Sequence, residues 1–258
     1  MVNFDIDITY ECNLSCKYCN RLCGTKFNKN DFMSVSQLEK YIVAVLPHIS
    51  SVSRINILGG EPTLHPQIFE VLDLLVKILR PKLSFPMNIV SNGVGERVNS
   101  ILEEIRKRYN TYDNSRSITM INPYSVAKSN KDFCIVRSKF YNQKVVESRH
   151  HPNLRGLIDY KDDINIDYCW VQDNCGYNIS PYGIYICSMA IAISRIFKLG
   201  EGLDHFPTPE ELLNQKKKMC KYCHIKCIPL PPSPAISKSF EIAIEEWDKD
   251  PYFLKVLE

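Results

Sequence analysis

The stretch YECNLSCKYCN, residues 10–20, sets Cys12, Cys16 and Cys19 in a C-x3-C-x2-C spacing. Thiolate is the soft ligand that iron–sulfur clusters require. Three thiolates after a strand can wrap one corner of a four-iron cubane and leave one iron open, as a catalytic metal site must. Cys23 is available as a fourth ligand, which keeps a structural zinc site as an alternative, and buried unliganded thiols are a third reading. A second group gathers late in the chain: Cys169, Cys175 and Cys187, then Cys220, Cys223 and Cys227 within CKYCHIKC. Two further places suit a ligand that approaches backbone or short polar side chains. They are Gly59-Gly60-Glu61-Pro62 and Ser91-Asn92-Gly93. Taken singly, each of these also makes an ordinary strand-ending turn.

Those residues are spaced along alternating strand-like and helix-like runs. FDIDITY (4–10) alternates with period two and leads into the first cysteines. SVSQLEKYIVAVLPHI (34–49) opens on a serine cap and carries apolar residues at helical spacing. RINIL (54–58) reads as a second strand ending in GGEP, and PQIFEVLDLLVKIL (66–79) as a helix with proline at its first position. PMNIVSNG (86–93) is a third strand, 94–109 a third helix and SITMIN (117–122) a fourth strand. FCIVRSKF and RGLIDY supply one or two more strands. GYNISPYGIYIC reads as a hairpin with SPYG at its turn, PLPPSP (229–234) as an extended connector and 238–250 as a last helix. Repeated strand–helix units imply a parallel sheet whose carboxyl ends carry the polar and glycine-rich turns.

Composition narrows the function. Of 258 residues 45% are hydrophobic and 24% charged, as in ordinary globular proteins. A net charge of +3 is too small to point to nucleic acid, no Lys/Arg run exceeds KKK at 216–218, and those lysines read as a solvated helix face. The N-terminus lacks a basic segment followed by an apolar run, and no stretch approaches the apolar length of a membrane span. The expectation is a cytoplasmic protein, where disulfides are rare and clustered cysteines bind metal or do chemistry.

With its aromatic Tyr18 just before the last cysteine, the C-x3-C-x2-C motif resembles the signature of radical S-adenosylmethionine enzymes. GGEP after the second strand and the Ser91-Asn92-Gly93 turn after a later one resemble two further motifs of that family, in the same order over residues 4 to about 122. The resemblance implies an α/β fold, a partial (β/α)6 TIM-like barrel over residues 1–160, with a [4Fe-4S] cluster on Cys12, Cys16 and Cys19. S-adenosylmethionine would chelate the open iron. Gly59, Gly60 and Glu61 would receive its ammonium group, Asn92 would hydrogen-bond its ribose hydroxyls, and Pro62, Ser91 and Tyr18 would belong to the same cofactor site. A flavodoxin or ferredoxin type reductant would supply the electron.

The late cysteines, a hairpin followed by C-x2-C, resemble the SPASM and twitch auxiliary-cluster extensions, here a small Cys-rich region over 161–258. The size implies one auxiliary [4Fe-4S] cluster, on Cys169, Cys187, Cys220 and Cys223, with Cys175 and Cys227 as rivals for the first and last places. A zinc ribbon is the alternative. His224 reads as a surface residue, and Cys134 and Cys23 as plain thiols.

The expected function is an oxidoreductase that abstracts a hydrogen from a small hydroxylated substrate, sugar- or cyclitol-like. Oxidation would pass an electron to the auxiliary cluster; epimerisation would need a thiol donor such as Cys134. Arg137 or Arg155 could hold the substrate oxygen, though each also reads as a surface side chain. One alternative is a maturase acting on a ribosomal peptide, which the few residues before the first strand disfavour. Another, from a different class, is a non-catalytic iron–sulfur or zinc protein, which would have no use for the GGEP and SNG turns.

Overall fold

The structure, a computed structural model, describes residues 2–14, 21, 23, 31–113, 131–137, 166 and 169–223. Their elements run β1 (Val2–Thr9), α1 (Val35–Val45), β2 (Val52–Gly59), α2 (Ile68–Leu79), β3 (Met87–Ser91), α3 (Glu96–Arg108), β4 (Thr111–Asp113) and β5 (Phe133–Arg137). After these come α4 (Trp170–Cys175), β6 (Tyr177–Ser180), β7 (Gly183–Tyr185), α5 (Ser188–Ile196) and α6 (Pro209–Met219). The seven strands form one sheet in the order β4-β5-β3-β2-β1-β6-β7. All neighbours are parallel except the β6–β7 hairpin. This is a mixed α/β fold.

Period-two alternation on the strands decides what each face meets. Phe4, Ile6 and Ile8 of β1, Ile55 and Ile57 of β2, Met87 and Ile89 of β3, and Phe133 and Ile135 of β5 point to one face. There they pack with Leu38 and Ile42 of α1, Leu72 and Leu75 of α2, and Leu102 and Ile105 of α3. Each fully buried aliphatic side chain contributes about 1.5–3 kcal/mol, so this layer fixes the register of the sheet.

Local signals set the helix starts. Ser34 caps α1: its hydroxyl accepts from the Gln37 N–H at 3.1 Å, and the Gln37 side chain accepts from the Ser34 N–H at 3.1 Å. Thr208 and Glu211 repeat the arrangement at α6. The helix over 66–79 begins two residues later than its proline suggests: Gln67 is the N-cap of α2, and Pro66 belongs to the preceding turn. The hairpin turns where SPYG predicts, with Ser180 opposite Gly183. Its place was not legible in advance. β6 adds to the same sheet, parallel to β1, with Phe4 opposite Tyr177 and Ile6 opposite Ile179. Cys175 ends α4 rather than standing on a strand. β4 was not anticipated, whereas β5 falls within FCIVRSKF. The expected strands at 117–122 and RGLIDY, and the last helix at 238–250, lie outside the described residues. No helix among the described residues is long and apolar enough to cross a membrane.

Candidate functional site

Three neighbouring strands deliver the motif residues to one end of the sheet. β1 runs out into Tyr10-Glu11-Cys12, β2 into Gly60-Glu61 and β3 into Asn92-Gly93. The first two turns are stitched together: the Gly60 N–H donates to the Thr9 carbonyl at 2.8 Å and the Glu61 N–H to the Glu11 carbonyl at 2.8 Å. A Cβ on Gly60 would sit 2.1 Å from the Glu11 oxygen, and one on Gly59, whose φ is +127°, 2.0 Å from the Thr9 oxygen. Both glycines are therefore required by the backbone of β1, in addition to any ligand above them.

Glu61 turns its side chain inward. Its fully buried carboxylate accepts from the Thr63 hydroxyl at 2.8 Å, the Thr63 N–H at 3.2 Å, the Ser91 hydroxyl at 2.9 Å and the Asn92 N–H at 2.7 Å. Burial pushes this carboxyl up, and the four donors pull it back. Glu61 thus ties the second motif to the third, and its backbone faces the cysteine loop. Pro62 opens the short 3-10 turn that Glu61 caps. Asn92 closes the circle. Its amide nitrogen donates to Asn13 at 2.7 Å and lies 3.9 Å from the Cys12 sulfur, while its oxygen accepts from the Val94 N–H at 2.8 Å. Asn92 is thus brought to Cys12, and Ser91 to Glu61. Cys16, Tyr18, Cys19, Cys227, Arg155 and His224 lie outside the described residues. Arg137 ends β5, opposite Ser91 in register.

Beneath this end lies a charged group that sequence reasoning passed over. The Arg21 guanidinium contacts Asp5 at 3.0 Å and both Asp7 oxygens at 3.0 and 3.1 Å, and the Tyr10 hydroxyl donates to Asp7 at 3.1 Å. Burial raises the Asp7 carboxyl; Arg21 acts against it. The signal was present in FDIDITY. Acids at alternate positions of a strand inside a parallel sheet stand where apolar residues are the rule. A brace links the loop's far end to the hairpin. Asp31 receives the Tyr182 hydroxyl and the Arg195 guanidinium, the latter at 3.2 Å, and the Tyr10 N–H donates to its carbonyl at 3.0 Å. Arg195 stacks 4.1 Å above the Tyr182 ring.

The late cysteines meet at one cavity. Cys169, Cys187, Cys220 and Cys223 line it together with Val171, Ile186 and Met219, and its empty volume, open mouth included, is about 330 Å³. Burial pushes the Cys187 thiol well up, and Cys223, Cys220 and Cys169 push the same way, so the four sulfurs are within electrostatic reach. Cys175 is not among the lining residues. Among the described residues no three His, Cys, Asp or Glu are grouped closely enough to hold a single metal ion. Four thiols around apolar walls are the donor set of an iron–sulfur cluster. Cys223 belongs to one buried apolar cluster with Tyr10 and Cys23, and the half-buried Cys12 and Cys187 both pack against that cluster. Cys134 is buried on β5.

Residues 6–115, less than half of the chain, match the family model of the Radical SAM superfamily. Over this segment the chain is similar to radical SAM domains. A probable GTP 3′,8-cyclase of Pyrococcus horikoshii is 31% identical over 93 residues, 36% of this chain and 27% of that protein. The GTP 3′,8-cyclase of Paenarthrobacter nicotinovorans is 29% identical over 91 residues, 35% of this chain and 24% of that protein. The chain thus spans about a quarter of the length of these curated relatives. Among solved structures, BtrN in complex with AdoMet and 2-DOIA aligns over 90% of this chain and 97% of its own at 15% identity, with a TM-score of 0.44. SuiB of Streptococcus suis bound to S-adenosylmethionine aligns over 39% of this chain and 22% of its own at 21% identity, with a TM-score of 0.30.

Proposed function

We propose that this chain is a radical S-adenosylmethionine oxidoreductase that acts on a small hydroxylated molecule and holds a second, auxiliary four-iron cluster. The observation that supports the reading is the four-cysteine cavity, whose Cys223 lies in, and whose Cys187 packs against, the same apolar cluster that Cys12 packs against. Cys12, with Cys16 and Cys19, would hold the first cluster. When bound, that cluster and S-adenosylmethionine supply a 5′-deoxyadenosyl radical able to abstract hydrogen. The chain's own work is placement. Gly60 and Glu61 fix the β2 turn against the Cys12 loop, and Asn92 bridges that loop to β3. The late cysteines Cys169, Cys187, Cys220 and Cys223 would hold the auxiliary cluster, whose packing against the first region suits it to take up the electron left by a substrate radical.

For the whole chain we propose a partial (β/α)6 barrel followed, after about residue 160, by a small Cys-rich extension, a cytoplasmic setting and a flavodoxin- or ferredoxin-type reductant. The test is anaerobic reconstitution with iron and sulfide, reduction with dithionite and addition of S-adenosylmethionine. Formation of 5′-deoxyadenosine above a Cys16→Ala control is expected; its absence would sink the reading. A second reading, cyclisation of GTP, is favoured by the identity to the two cyclases. Incubation with GTP under the same conditions separates the two.

A further inference from the structure

We infer that the sheet face turned away from α1–α3 is the floor of a binding site for an uncharged polyhydroxylated molecule, read by Asp5, Asn56 and Asn88. The inference rests on the proposed function and assigns its substrate a place and a recognition chemistry. The register sets Asp5 opposite Asn56 and Asn56 opposite Asn88, so the three stand in one row across β1, β2 and β3. Asn178 extends the row on the β6 side and Cys134 on the β5 side. The side chains are joined: the Asn88 amide donates to the Asn56 oxygen at 2.9 Å, and the Asn56 amide donates to Asp5 at 2.8 Å. Arg21 closes the end of the ladder on the other Asp5 oxygen at 3.0 Å.

Such a row is costly in a parallel sheet, where both faces are ordinarily covered by apolar layers. The helix-facing side of these same strands obeys that rule. The other side keeps unused hydrogen-bonding capacity. A primary amide offers two N–H donors and two acceptor lone pairs. Among the described residues Asn56 spends one donor and one lone pair, and Asn88 one donor. Asn178, fully buried, lies near enough to Asp7 to hold its carboxyl down, yet neither its amide nitrogen nor its oxygen makes a hydrogen bond of ordinary geometry. The half-buried Asn56 and Asn88, beside the buried Asn178, suit a partner that both donates and accepts, which is the property of a hydroxyl group.

Charge argues in the same direction. Asp5 and Asp7 both face Arg21, so the row has no surplus cation with which to hold a phosphate. Arg54 lies one row deeper, opposite Asn3. Towards the strand ends the same face carries Leu58 and Val90, both half-buried, apolar surface of the kind that meets the C–H face of a ring. Asn88 lies four residues below Asn92, roughly 13 Å of strand, on the way down from the Cys12 end.

Calorimetric titration of the reconstituted holoprotein with myo-inositol, D-glucose and GTP tests the inference. Saturable binding of at least one polyol, weakened about tenfold by Asn56→Leu for the loss of one shared hydrogen-bond pair, is expected. If Asn56→Leu fails to fold, Asn88→Ala, at a half-buried position, must show the same loss. No saturable heat from either polyol, tighter binding of GTP than of both, or unchanged affinity in the folded variant overturns it. The two readings fail differently: wild-type protein that makes 5′-deoxyadenosine but binds no polyol refutes only this inference, whereas no 5′-deoxyadenosine refutes the proposed function.

Discussion

Glu61 shows how a motif residue can act through its neighbours. Four donors from two turns converge on its carboxylate, and none of them is a ligand. Glu61→Gln places an amide N–H against one of those donors and leaves it unsatisfied in a buried setting. Hydrogen bonds to a charged acceptor are worth about 1.5–3 kcal/mol each. The variant should therefore lose roughly 2 kcal/mol, seen as a lower urea midpoint, and bind S-adenosylmethionine more weakly as Asn92 shifts. An unchanged midpoint would show that the clamp is not made. The late cysteines separate at the same scale. Cys187→Ala should lower reconstituted iron from about eight per chain to about four, the content of one four-iron cluster. Cys175→Ala, outside the cavity lining, should leave it unchanged. Equal losses in both would reassign the ligand set.

Among the elements, the turn into α2 carries a pH dependence. His65 is buried, its Nε2 donates to the Met33 carbonyl at 2.9 Å and its Nδ1 accepts from the Gln67 N–H at 3.0 Å. That arrangement needs the neutral ring, and burial holds its pKa below the ordinary 6.5. A histidine whose pKa is lower folded than unfolded contributes stability above the unfolded value, lost as pH falls below it. The contribution of His65 to the unfolding free energy, read from urea titrations, should fall from pH 7.5 to 5.5 by up to about 1.4 kcal/mol per pH unit for one proton. His65→Gln should flatten that slope. Asp7 and Glu61, raised by burial, act with the opposite sign, so the difference between wild type and variant is the quantity to read.

Elements with strong periodicity or explicit caps were legible in the sequence, and elements defined by their partners were not. α1 follows from Ser34 and its helical spacing, and the hairpin from SPYG. β4, three residues long, has no alternation to detect, and its strand character comes from pairing with β5. Nothing in YNIS says that β1 will be its neighbour. Likewise at the site, residue type and spacing marked Cys12, Gly60 and Asn92. The inward turn of Glu61 and the Asp5–Asn56–Asn88 row depend on register between strands some fifty and thirty residues apart, which local pattern cannot carry.

Across the whole molecule, the two cysteine regions share one scaffold. β1 leads directly into the first of them, and β6 leads through the hairpin into Cys187, with β1 and β6 side by side. Asp31, Tyr182 and Arg195 then pin the far end of the first loop to the hairpin and α5. A group held at either end is thus held relative to the other by a sheet rather than by a linker.

The seat of β6 beside β1 has a consequence for anyone who trims the chain. A fragment ending at residue 160 would leave β1 with one flank of bare amides and carbonyls. Such a flank is sticky, and copies of the fragment would template on one another. Light scattering of the fragment against full-length protein should reveal assemblies that only a chain long enough to supply its own cover avoids.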